Sequence, residues 1–269
     1  MNAFLNHFAF EFNTGLRNPT QLLMNYLFPL GFYLMMGLVM VPINPLFAQT
    51  MIPAMITVAA MASALLGLPG SLVESREAGI YRSFKINGVP ALSILAIPTI
   101  GTLFPVAIVA AVITLSGPLF KGVLPDNWAA FVLVTLVTAF AYGAIGALIG
   151  VVATDSRSTV LYSQLLFLPS MILSGMMLPM DLLPASARRL AVLLPATHTM
   201  QAYNGLAYGQ PTVMNPLISL LLLLASGVLA FGLGIYLFSW DSRNATRRGH
   251  PALALLAMVP MVVSAVLLK

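Results

Sequence analysis

Six stretches of this chain, near residues 20–41, 51–72, 91–116, 128–153, 159–178 and 213–239, contain no Asp, Glu, Lys or Arg at all. Nothing else in the sequence narrows the available folds so far. A helix needs about 20 mainly apolar residues to cross a hydrocarbon layer of about 30 Å, and each stretch has that length. Only 7% of the 269 residues are charged, against roughly 25% in a soluble domain, too few to wet a soluble body of this size. The surrounding medium must be largely lipid, where every backbone N–H and C=O has to bond within protein. Long unbroken apolar runs do not alternate as barrel strands do, so an all-α integral membrane protein with six spans is expected. A further apolar stretch, 251–268, holds Pro251 and Pro260 and reads as a seventh span or as a helix lying on the membrane.

The net charge of +5 would suggest nucleic acid in a soluble protein, but here the basic residues lie in short loops and set topology. With the N-terminus inside, the cytoplasmic segments hold Arg17, Arg76, Arg82, Lys85, Arg157, Arg243, Arg247 and Arg248. The outer ones hold Lys121, Arg188, Arg189 and, if the last stretch crosses, Lys269. Eight against four favours a cytoplasmic N-terminus. Residues Met1 to Arg17 lack the basic leader and cleavage site of a signal peptide. Within them Phe4, Leu5, Phe8, Phe12 and Leu16 recur at helical spacing, which predicts an amphipathic interfacial helix. Asn18-Pro19 then ends that helix and starts the first span. The chain thus divides into an interfacial helix (1–17), a six-span body (18–240) and a basic loop with an extra apolar segment (241–269).

Between the second and third stretches lies the most charged segment, Glu74-Ser75-Arg76-Glu77-Ala78-Gly79-Ile80-Tyr81-Arg82-Ser83-Phe84-Lys85. A short helix here would gather Ile80, Tyr81 and Phe84 on one face, with charges on the rest. That suits docking into a partner's groove; an ordinary positive-inside loop is the plainer reading, and charge does not separate the two. The segment Met176 to Thr212 carries Pro179, Pro184, Pro195 and Pro211 yet stays apolar. A pair of short re-entrant or interfacial helices, either a lid over an outward exit or simple packing, is expected there. Gly143, Gly146 and Gly150 form a small-residue face for close helix packing, within the subunit in the simpler case.

Several chemistries are missing. No ionisable group lies in the six stretches, which weighs against ion-coupled carriers and proton relays. No phosphate-binding loop of the G-x-x-x-x-G-K-[ST] type is present, so the chain brings no P-loop ATPase of its own. His7, His198 and His250 stand far apart, there is no cysteine, and no hydrolase or metalloprotease motif appears. Neither a catalytic residue nor a metal ligand is expected.

Four places together carry a family resemblance. They are Arg17-Asn18-Pro19 leading to Phe28-Pro29-Leu30, and Glu74-Ser75-Arg76-Glu77-Ala78-Gly79-Ile80 followed by Gly88-Val89-Pro90. Further on come Leu173-Ser174-Gly175 with Leu178-Pro179 and Leu183-Pro184, then Leu194-Pro195-Ala196-Thr197-His198 with Tyr203-Asn204-Gly205 and Tyr208-Gly209. In this order they resemble the permease subunit of a type-2 ATP-binding-cassette (ABC) exporter, of the multidrug, lipid and polysaccharide superfamily, over residues 2–240. The resemblance implies six spans with short extracellular re-entrant helices. It also implies pairing with a second permease copy or a sister permease, and two separate ATPase subunits on the cytoplasmic face that bind ATP and Mg. It makes the 74–85 helix the coupling helix held by the ATPase, through Glu74, Arg76, Glu77, Gly79, Ile80, Tyr81, Arg82, Phe84 and Lys85.

The cargo expected along an uncharged path is hydrophobic or amphipathic, a drug, lipid or lipid-linked molecule. Asn25, Tyr26, Tyr33, Ser170 and Ser174 are the polar residues expected to line that path. The location implied is a prokaryotic plasma membrane, with no nucleic-acid partner. An ion-coupled or passive carrier without an ATPase, and a non-transporting membrane scaffold, are the alternatives.

Overall fold

Asn18 accepts hydrogen bonds from the amides of Thr20 (3.0 Å) and Gln21 (3.2 Å), and Pro19 follows at a position that needs no donor. In the computed structural model, which describes residues 17–240 and 248–267, this cap opens α1, Pro19–Ile43. All of the expected interfacial helix at 1–17 except Arg17, and Arg243 and Arg247 of the basic loop, lie outside the described residues. The same device recurs where Asn215 caps Pro216 through the amides of Leu217 and Ile218. Asn127 and Asp155 start two further helices, the latter through a reciprocal capping box with Ser158.

The chain order is α1, then α2 (Phe47–Glu77), a short α3 (Ile80–Ile86), α4 (Ala91–Phe120), α5 (Trp128–Val152) and α6 (Ser156–Leu173). After them come α7 (Ala185–Ala191), α8 (Pro195–Ala202, prolonged by a π turn Tyr203–Ala207), α9 (Pro216–Leu237) and α10 (Val259–Leu267) behind a 3₁₀ stretch Pro251–Met258. No strand occurs among the described residues. Among the described residues five helices, α1, α2, α4, α5 and α9, are long and apolar enough to cross a membrane. The stretch expected as the fifth span, 159–178, forms α6, an 18-residue helix that ends at Leu173. Its opening Ser156, Arg157, Ser158 and Thr159, with Gln164 inside, make it the least apolar of the long helices.

Successive long helices run up and down, so the bundle has two ends. One carries α3, the start of α1 and the end of α9; the opposite end carries α7 and α8. At the centre stand α2, buried along nearly its whole length, and α5. The glycine face of α5 packs within the chain. A Cβ on Gly146 would be driven into the Ala64 carbonyl of α2, and one on Gly143 would lie 2.7 Å from the Thr102 hydroxyl of α4. Gly227 of α9 meets Ala141 of α5 as closely. Outward-facing residues remain apolar, as at Leu38, Leu115 and Leu221, which is the pattern of a body solvated by hydrocarbon.

Three π turns interrupt these helices, Leu23–Leu27, Ala62–Gly67 and Tyr203–Ala207. The first two touch each other, the Ser63 hydroxyl donating to Asn25 Oδ1 at 2.8 Å. The C-terminal segment returns antiparallel along α9. The Tyr236 hydroxyl donates to the Arg248 carbonyl (3.0 Å), Ser226 to that of Ala257 (2.6 Å), and Met261 packs with Leu223 and Ala141. At 16 residues its apolar part, Pro251–Val266, is shorter than the five spans.

Candidate functional site

At the α3 end, α2 stops because Gly79 takes a left-handed conformation (φ 76°), which costs a glycine little. The expected single helix over 74–85 is therefore two pieces: Glu74 to Glu77 form the last turn of α2, and Ile80–Ile86 form α3. The faces also differ from expectation. Tyr81 turns inward and packs its ring, tilted by 50°, against Phe238 at the end of α9 (ring centroids 5.6 Å apart), and Phe84 is half-buried against the core. Ile80 faces out with Glu77, Arg82 and Lys85, and beside them Ile86, 81% exposed, was not singled out by spacing.

Arg76 departs most from the sequence expectation. It is 4% exposed, and its guanidinium donates to the carbonyls of Gly150 (3.4 Å), Val151 (3.1 Å) and Ala153. These belong to the last turn of α5 and the residue after it, where carbonyls have no intrahelical partner and carry the negative pole of the helix. Arg76 is a staple between α2 and α5 and does not belong to the exposed face. That face has an alternating character, two aliphatic side chains among acidic and basic ones, tied to the bundle by Tyr81 and Phe84.

At the opposite end a cavity of about 240 Å³ lies between the start of α2, the exit of α6 and the π turn after α8. Ser174, Gln201 and Asn204 give it hydrogen-bonding groups; Met176, Met180 and Met200 give it thioether walls. Gln201 is held by the Met214 amide, which donates to its Oε1 at 3.2 Å. The Ser174 hydroxyl, fully buried, and Asn204 Oδ1 have no hydrogen-bond partner among the described residues. Buried polar groups are rarely left so. Gly175 (φ 87°) turns the chain out of α6 immediately beyond Ser174. Among the described residues no charged side chain lines the cavity, so its chemistry suits an uncharged or amphipathic molecule that can accept or donate a few hydrogen bonds.

The five expected path residues do not converge. Ser174 lines this cavity, and Ser170 sits one turn back on the same buried face of α6, its hydroxyl also without a partner among the described residues. Asn25 is engaged by Ser63 in the paired π turns, and Tyr26 packs half-buried against the core. Tyr33 is buried, its hydroxyl 2.9 Å from that of Ser116 and its ring edge-on to Phe120. Gln201 and the methionines were not anticipated. The trace of Gln201 in the sequence is that 195–207 stays polar in places inside an otherwise greasy, proline-broken segment; the methionines leave none. Among the described residues no three His, Cys, Asp or Glu side chains gather. His198 is buried in α8 against the Val192 carbonyl (2.9 Å), and His250 caps the 3₁₀ stretch.

Comparison with known proteins gives one result. The sequence model of a family described as "ABC-2 family transporter protein" matches residues 11–236, most of the chain. Searches of curated proteins and of solved structures give no match.

Proposed function

The chain belongs to the ABC-2 transporter family, and from that premise we propose that it is the membrane half of an exporter driven by a separate ATPase subunit. In this reading the ATPase docks on the exposed face of α3, and the α3 end is cytoplasmic. The observation that carries it is the division of labour within 74–86. Ile80, Arg82, Lys85 and Ile86 stand outward with Glu74 and Glu77, while Arg76, Tyr81 and Phe84 tie the same element to α5, α9 and the core. A small amphipathic knob rigidly joined to three parts of the bundle is what a driving subunit needs to grip. ATP and Mg are held by that subunit. The cargo is hydrophobic or amphipathic and leaves past the uncharged cavity at the opposite end, where Ser174 and Ser170 of α6 face inward. A second permease, copy or sister, completes the pathway in a prokaryotic plasma membrane.

The test is purification of the tagged chain with its ATPase from native membranes. Ile80→Asp with Ile86→Asp should reduce the recovered ATPase at least about tenfold, the effect of some 1.4 kcal/mol lost at an interface. The melting temperature of the permease itself should not move, because both side chains face outward. Full retention of the ATPase and of ATP-driven export by this variant overturns the docking site. Export driven by a proton or sodium gradient in vesicles without ATP overturns the reading as a whole.

A further inference from the structure

A second cavity, of about 350 Å³, opens at the α3 end between α3, the start of α4, the end of α9 and the beginning of the C-terminal segment. Its rim holds two cationic side chains from distant parts of the chain, Lys85 and Arg248, both exposed. Its wall holds Trp240, whose ring stands edge-on to Phe238 (centroids 5.2 Å apart), which in turn packs at a tilt against Tyr81. Ala91, the first residue of α4, also lines it; α4 begins behind Pro90 with no capping side chain. Among the described residues no acidic side chain lines the cavity. The surface leading away from the rim is apolar, with Leu92, Tyr236 and Leu256 exposed on the elements around it.

We propose that this cavity binds the phosphate headgroup of an anionic phospholipid, with Lys85 and Arg248 as its charge partners. A phosphate is the common anion that two separated cations would accept together. The adjoining apolar faces of α4 and α9 favour a phosphate that carries acyl chains over a free ion. Trp240 follows closely on the end of the apolar helix α9, and tryptophan is enriched where spans meet the membrane boundary. A lipid held there would join the C-terminal segment, which lies beyond the family match, to α3. The proposal does not depend on docking of an ATPase, since the site is complete within this chain.

The test compares lipids on the purified full-length chain by native mass spectrometry and by thermal melting in detergent. Wild-type protein should retain phosphatidylglycerol over phosphatidylcholine by roughly thirtyfold, two basic contacts of about fivefold each. Lys85→Gln with Arg248→Gln should bring that preference to about unity. Lys85→Arg with Arg248→Lys should keep most of it, which separates lost charge from lost fold. Lys121→Gln with Arg189→Gln removes the same charge at the opposite end and should leave it unchanged. Equal retention of the two lipids by wild type overturns the proposal, as does an equal loss in the Lys121 and Arg189 variant. Stabilisation by inorganic phosphate at millimolar concentration, with none by phosphatidylglycerol, would make the ligand a free ion and overturns the lipid assignment.

Discussion

Taking the guanidinium of Arg76 out of water costs several kcal/mol, and the carbonyls of Gly150, Val151 and Ala153 offset that cost. The same contact relieves the end of α5, whose last carbonyls would otherwise sit unsatisfied inside protein. Both partners therefore lose if either is removed. Arg76→Ala should destabilise the chain by about 3 kcal/mol, the scale of a charged hydrogen bond lost together with the desolvation of its stranded acceptors. Arg76→Lys should restore only part of this, because one ammonium cannot fork to three carbonyls as a planar guanidinium does. Melting in detergent measures both, and a wild-type melting temperature for Arg76→Ala would remove the staple from the account. Sequence spacing showed that Arg76 belongs to a charged turn, but not that its partners lie 74 to 77 residues further on. For the same reason the inward turn of Tyr81 was not legible: periodicity sorts a helix into faces without saying which face meets Phe238.

At the scale of elements, the close approach of α5 to α2 and α4 rests on three glycines that leave no room for a methyl group. Gly146→Ala places a Cβ against the backbone of Ala64, where no side chain can swing aside, so α2 and α5 must part. A loss of about 1–3 kcal/mol is expected from such overpacking. Gly232→Ala on α9, where the added atom meets nothing within 4 Å, should be silent in the same melting assay. Equal effects at both sites would show that the glycines act through the helix backbone and not through packing. This face was readable from sequence because small residues at spacing three and four have few other uses in a span. The Asn-Pro starts of α1 and α9 follow from similarly local rules. The π turns were not readable: each depends on what the neighbouring helix presents, as Ser63 presents its hydroxyl to Asn25.

The molecule as a whole is a bundle with two chemically different ends, a charged face around α3 and, around α8, a methionine-lined cavity whose described lining carries no charge. Because the chain has no cysteine, single cysteines can report which end faces which side. Ile86→Cys and Ala252→Cys should react together with a membrane-impermeant maleimide from one side, and Val213→Cys only from the other. Labelling of Val213→Cys and Ile86→Cys from the same side would refute the up-and-down course of the chain. Five of the six expected spans were legible because absence of charge over 20 residues has one physical solution; the stretch 159–178 instead forms the shorter, less apolar α6. The uncharged cavity was not, since it brings Phe47 together with Ser174 and Gln201, which lie more than a hundred positions further along the chain. The staple between α2 and α5 carries a consequence for how the protein meets membranes of different thickness. Helices that end freely can tilt one by one when the hydrocarbon layer thins or swells by a few ångströms. With Arg76 fastening their ends, α2 and α5 can tilt only as a pair, so adjustment to bilayer thickness falls to the outer helices α1, α4 and α9.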